Sequence, residues 1–108
     1  MNTFRFLNFP IYKEAKRYYF TIVYITTKIS FYELKNQLQR AVLSVVLNIV
    51  EGSAKKSDKK FMNEVVACLD ILYDDKKLEE RAYKKLLDTA ESIVRQLGGF
   101  IRSLKIKN

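Results

Sequence analysis

Four lysines fall within six residues at Lys55, Lys56, Lys59 and Lys60. Ammonium groups at that density attract a polyanion. They adjoin an expected helix start, where free N–H groups and the helix dipole add positive potential. The chemistry this suggests is contact with a phosphate backbone. It is driven by counterion release and is therefore salt-sensitive. Arg102, Lys105 and Lys107 form a second basic cluster near the C-terminus, and Arg40 is a further candidate contact. The competing reading of each cluster is an ordinary solvated helix surface. No recognition-helix motif, zinc finger or aromatic RNA-binding signature is present, so recognition of shape or backbone is expected.

Other chemistry has little to stand on. The chain contains no histidine, which removes the commonest general base, the commonest zinc ligand and every imidazole-dependent triad. Its one cysteine, Cys68, falls on an apolar stripe and reads as core packing. Gly52-Ser53-Ala54-Lys55-Lys56-Ser57 resembles a phosphate loop only superficially. It lacks the required spacing and follows a helix where a strand is needed. The carboxylates Asp70, Asp74, Asp75, Glu79 and Glu80 read as a solvated helix end, not a metal site. The expectation is a binding protein with no catalytic residues, no cofactor, no metal and no small-molecule substrate.

The composition agrees with this. The net charge is +8, unevenly spread. Residues 1–30 carry five Lys/Arg against one Glu, residues 31–60 six against three, and residues 81–108 seven against two. Residues 61–80 reverse the balance, with two against six. A basic chain with one acidic segment points to RNA or DNA as partner, ahead of an anionic membrane. The apolar runs 18–27 and 41–50 are about half the ~20 residues that cross a bilayer. With no secretory signal and no possible internal disulfide, the chain reads as soluble and cytoplasmic, with no membrane partner.

One proline and three glycines in 108 residues argue for long helices in a single domain, residues 1–108. The first helix is expected from Pro10 to Lys28, with Tyr12, Ala15, Tyr19, Ile22, Ile25 or Thr26, and Ile29 on its stripe. The second starts at a capping box, Ser30 with Glu33. Its main stripe is Leu34, Leu38, Ala41, Val45 and Ile49, and Gly52 ends it. Val42, Leu43, Val46, Leu47 and Val50 spread apolar surface round most of this helix. Burying such a helix on all sides calls for another subunit, which places Val42, Val46, Leu47 and Val50 at an interface between copies. A fully central helix in a monomer is the competing reading. Ser57 caps the third helix, with Asp58 in its first turn and Phe61, Val65, Cys68, Leu69 and Leu72 inward. Asp74-Asp75-Lys76-Lys77 is the expected turn before the fourth helix, one continuous helix being the alternative. Leu86, Ala90, Ile93, Leu97, Phe100 and Leu104 step by fours and threes, a heptad-like seam. Gly98-Gly99 lies inside it, and close approach by a neighbouring helix would justify its cost of about 1 kcal/mol per glycine.

Arg40-Ala41, Ser44, Asn48-Ile49, Glu51-Gly52-Ser53, Lys56-Ser57 and Phe61 together resemble the four-helix-bundle proteins encoded by intervening sequences in bacterial 23S ribosomal RNA genes. Ile93 to Leu97 through Leu104-Lys105 is similar to that family's last helix. Phe4-Arg5, Leu7 and Tyr12 to Ala15 are similar to its N-terminal segment. The resemblance implies an all-α, up-and-down antiparallel four-helix bundle, a homopentameric ring with a basic surface, and no catalytic activity. A related branch is the accessory variability protein of diversity-generating retroelements, where the basic pentamer binds nucleic acid and a reverse transcriptase. Gly98-Gly99-Phe100-Ile101 leans toward that branch, and the Asn48…Glu51-Gly52 motif toward the intervening-sequence branch. The chain departs from the family at Val46, where a proline is usual, and in a third helix about three turns shorter.

The leading expectation is therefore an oligomeric bundle that binds nucleic acid through Arg40, Lys55, Lys56, Lys59, Lys60, Arg102 and Lys105. The alternative is an accessory protein that docks a reverse transcriptase, with the acidic segment 70–80 as its docking surface.

Overall fold

A computed structural model describes residues 3–52 and 56–107, with side chains placed for 3–52 and 58–103. After a short 3-10 turn at Arg5–Asn8 come four α-helices: α1 Pro10–Thr26, α2 Tyr32–Val50, α3 Lys56–Asp74 and α4 Glu80–Lys107. No strand occurs among the described residues. The most extensive helix contacts are between helices consecutive in sequence, because links this short force consecutive helices to lie antiparallel. The bundle closes where α4 returns to α1. There the Tyr18 hydroxyl donates to the Leu86 carbonyl at 3.0 Å and the Phe9 and Phe100 rings meet at 5.8 Å.

The core runs the length of the bundle. α2 contributes the broadest buried arc: Leu38, Ala41, Val42, Val45, Val46 and Ile49. α3 brings Met62, Val65, Cys68, Leu69 and Leu72, and α4 brings Leu86, Ala90, Ile93 and Leu97. The α4 seam thus lies inward as its spacing predicts, with Phe100 half-buried and the Leu104 side chain outside the described residues. In α3, Met62 takes the fully buried position and Phe61 packs only partly against the core.

α1 is rotated from its expected stripe. The buried residues are Ile11, Ala15, Tyr18, Ile22 and Thr26, while Tyr12, Tyr19 and Ile25 sit at the margin. Adjacent apolar residues at 11–12 and 18–19 make both stripes equally regular. The choice falls to Tyr18, whose buried hydroxyl finds a carbonyl partner across the bundle.

The ends of the elements bear out some expectations and revise others. Pro10 occupies the first turn of α1. The Ser30–Glu33 capping box does not form: Phe31 is the N-cap of α2 and no side chain caps it. α1 stops at Thr26, and the chain there is tied down by Gln39, whose amide donates to the buried Thr26 hydroxyl at 2.8 Å. Gly52 ends α2 in the left-handed conformation, φ +66°, as its type requires. α3 begins at Lys56, two residues before Ser57 as cap would start it; that side chain lies outside the described residues.

α3 and α4 are separate helices, and the break comes at Asp75–Glu79. Lys77 N–H donates to the Leu72 carbonyl at 2.9 Å and Lys76 N–H to the Tyr73 carbonyl at 3.0 Å. This paired closure places Lys76 at φ +60°, a left-handed conformation that costs a residue with a β-carbon about 1 kcal/mol. Glycine would remove that strain while adding freedom to the unfolded chain. Lys76→Gly is expected to stabilise the protein by about 0.5–1 kcal/mol, a rise of a few degrees in Tm. Thermal unfolding followed by circular dichroism measures it, and a fall in Tm would contradict the geometry.

Candidate nucleic-acid interface

Up-and-down connectivity decides which charges become neighbours. The start of α1, the end of α2, the start of α3 and the end of α4 share one pole. A cavity of about 520 Å3 there is lined by Arg5, Phe6, Phe9, Ile49, Gly52 and Phe100. The described residues of this pole, 3–13, 47–52, 56–60 and 98–107, hold eight Lys/Arg against Glu51 and Asp58. The opposite pole, residues 24–36 and 70–84, holds six Lys/Arg against six Asp/Glu. The acidic segment is thus neutralised by Lys28, Lys35, Lys76, Lys77, Arg81 and Lys84, and the net positive charge gathers at the other end.

Of the expected contacts, Lys59, Lys60 and Arg102 are exposed at the basic pole. Lys56 and Lys105 belong to helices that reach it, with side chains outside the described residues, as is Lys55 altogether. Arg40 is exposed nearer the middle of α2 and stands apart from this group. Arg5, in the turn before α1, joins the pole although composition alone did not single it out.

The start of α3 is not an open anion site. Asp58 is fully buried in its first turn and accepts a 2.7 Å hydrogen bond from the Asn48 side-chain amide. Its carboxylate already occupies the positive end of the helix dipole. Asn48, the residue of the α2 motif, therefore anchors the end of α2 to the start of α3. It sets the direction in which Lys59 and Lys60 leave the bundle.

α2 presents less free apolar surface than its sequence suggests. Val42 and Val46, expected between copies, are buried inside the single chain because α2 packs on both α1 and α3. Leu43 (37% exposed), Leu47 (48% exposed) and half-buried Val50 make the outward stripe. Gly98 and Gly99 are not approached by another helix of the same chain. A β-carbon at either would meet only the Arg102 guanidinium, at 3.6 and 3.8 Å.

The remaining candidates for chemistry are placed as follows. Cys68 is buried, and burial with Glu64 nearby pushes its thiol pKa up, away from a reactive thiolate. Tyr83 donates to Asp70 at 2.7 Å and stacks on Tyr73, and that hydrogen bond raises its pKa. No three His, Cys, Asp or Glu side chains among the described residues come together as a metal site. No helix among the described residues is long and apolar enough to cross a membrane.

Sequence reasoning missed the outer face of α1. Phe20 and Tyr24 are 62% and 68% exposed, one turn apart, beside Lys13, Lys16 and Arg17. Spacing of four between two large aromatic residues on the polar side was the available signal. On α1's other flank a groove of about 520 Å3 runs toward α4, lined by Glu14, Arg17, Thr21, Lys85, Asp88 and Thr89.

The model of one family, described as 23S rRNA-intervening sequence protein, matches residues 8–99. No curated protein and no solved structure gives a significant match.

The Asn48–Asp58 link yields a direct test. Asp58→Ala removes the hydrogen bond that the half-buried Asn48 amide donates to it and leaves the α3 terminus without its anion, and is expected to cost about 1–3 kcal/mol. Urea unfolding measures it; a loss within error of zero would mean that the junction is held by other contacts.

Proposed function

The chain belongs to the 23S rRNA-intervening sequence protein family, and from that premise we propose that it is a non-catalytic, oligomeric bundle that binds nucleic acid through its basic pole. The observation that carries this reading is the convergence of Arg5, Lys59, Lys60 and Arg102, with the helix ends to which Lys56 and Lys105 belong, at one end of the molecule. Lysine and arginine placed round one rim meet successive phosphates and release condensed counterions. No base-reading element accompanies them, so affinity is expected to depend on salt far more than on sequence. The absence of histidine and the buried state of Cys68 support a role without catalysis.

Assembly is part of the reading. Leu43, Leu47 and Val50 form an outward apolar stripe on α2 that a second copy would cover. The family resemblance makes a pentamer the expected closed form. Docking of a reverse transcriptase is the second reading, supported by the Asp70–Glu80 segment, though that pole is balanced in charge as a whole.

Two measurements test this. Lys55, Lys56, Lys59 and Lys60 changed together to Gln are expected to reduce the slope of log K against log salt by about 2–4, read by fluorescence anisotropy on a labelled duplex. An unchanged slope would exclude this loop as the contact. Light scattering after size exclusion of nuclease-treated protein is expected to give about five times 12.7 kDa, and Leu43→Glu with Leu47→Glu to lower it. A wild-type mass of one chain would remove assembly from the proposal. Retention of a polymerase at moderate salt after nuclease treatment would favour the second reading.

A further inference from the structure

We infer that the outer face of α1 is a stacking platform for single-stranded nucleic acid, on which Phe20 and Tyr24 take bases and Lys13, Lys16 and Arg17 take phosphates. The inference rests on the nucleic-acid reading above and adds to it a strand type and a second surface.

Two large rings stand in water on a helix whose core face is already satisfied. Ile11, Ala15, Tyr18, Ile22 and Thr26 point inward, which turns positions 13, 17, 20 and 24 outward together. Phe20 and Tyr24, four residues apart, are separated by one helical turn, about 6 Å along the axis. That rise suits successive bases of an extended strand, each with a face to stack. Exposed aromatic rings flanked by cations are how proteins hold single strands without reading their sequence.

Charge points to this occupant. Among the described residues, Lys13, Lys16 and Arg17 form no ion pair; the Lys16 ammonium sits 5.0 Å above the Tyr12 ring. Glu14, the single carboxylate of α1, is half-buried on the α4 side and lines the groove there. The outer face is therefore cationic, its carboxylate neighbours Glu14 and Asp88 lying on the α4 flank beside Arg17, and it complements a polyanion. Phosphates supply the missing anions, and the rings add a contact that a duplex, with its bases stacked inside, cannot use.

The test compares a fluorescent oligo-uridine of about 15 nucleotides with a blunt duplex of equal length at matched salt, by anisotropy. Wild-type protein is expected to prefer the single strand. Phe20→Leu with Tyr24→Leu, both at exposed positions, is expected to weaken single-strand binding about tenfold or more while leaving duplex binding and the circular dichroism spectrum unchanged. Equal binding of the single strand by the variant, or equal losses on strand and duplex, overturns the inference. A lower light-scattering mass for the variant also overturns it, since the face would then be covered by another copy. If the lysine-loop variant loses affinity and the α1 variant does not, the basic-pole reading stands and the platform fails. If wild-type protein binds neither probe, both fail.

Discussion

Every other feature of this bundle depends on how α2 is buried. Its inward arc, from Leu38 through Val42 and Val46 to Ile49, is wide enough to take α1 on one side and α3 on the other. That arc is the largest contribution any one helix makes to the buried core. α4 then completes the core along one narrower seam, Leu86, Ala90, Ile93 and Leu97. Its contact with α1 is the least extensive of the four between helices, and a groove remains between them. The polar cross-links fall where this packing has already aligned the helices: Thr26 with Gln39, Asn48 with Asp58, and Tyr18 with Leu86.

The same connectivity sorts the charge. Short links require the helices to alternate in direction, so segments far apart in sequence share a pole. Arg5, the α3 lysines and the end of α4 meet at one end, while the acidic segment is folded among lysines and arginines at the other. The molecule is about twice as long as it is wide, 46 × 24 × 23 Å, and one pole lies several Debye lengths from the other at physiological salt. A polyanion therefore meets a basic end, not an average charge. Helix dipoles add little, since two helices begin and two end at each pole and the start of α3 is already faced by Asp58.

Four helices were legible from apolar spacing because a stripe repeating at three and four residues has one partner geometry, another helix. The turn at Asp74–Lys77 was legible as a polar interruption, without glycine, and Lys76 bears the strain glycine would have avoided. The α1 stripe was right at Ala15, Ile22 and Thr26 but took Tyr12 and Tyr19 in place of Ile11 and Tyr18, because paired neighbours such as Tyr18-Tyr19 satisfy either rotation. Val42 and Val46 were placed between copies because spacing along one helix does not reveal how many neighbours surround it. The Ser30–Glu33 box failed for a related reason: the link between α1 and α2 puts Phe31 at the cap.

By itself the sequence determined that this is an all-helical chain with a real core, no imidazole chemistry and a strong excess of positive charge. It also carried the motif around Asn48 to Gly52 by which its family is recognised. These properties are local, written in residue type and in spacing along one helix. Tertiary structure alone decided that the basic segments share one pole, that Asn48 bonds a buried Asp58, and that Phe20 and Tyr24 face water beside unpaired cations. Each of these depends on the direction and rotation of helices relative to one another, and those are set by how whole faces pack.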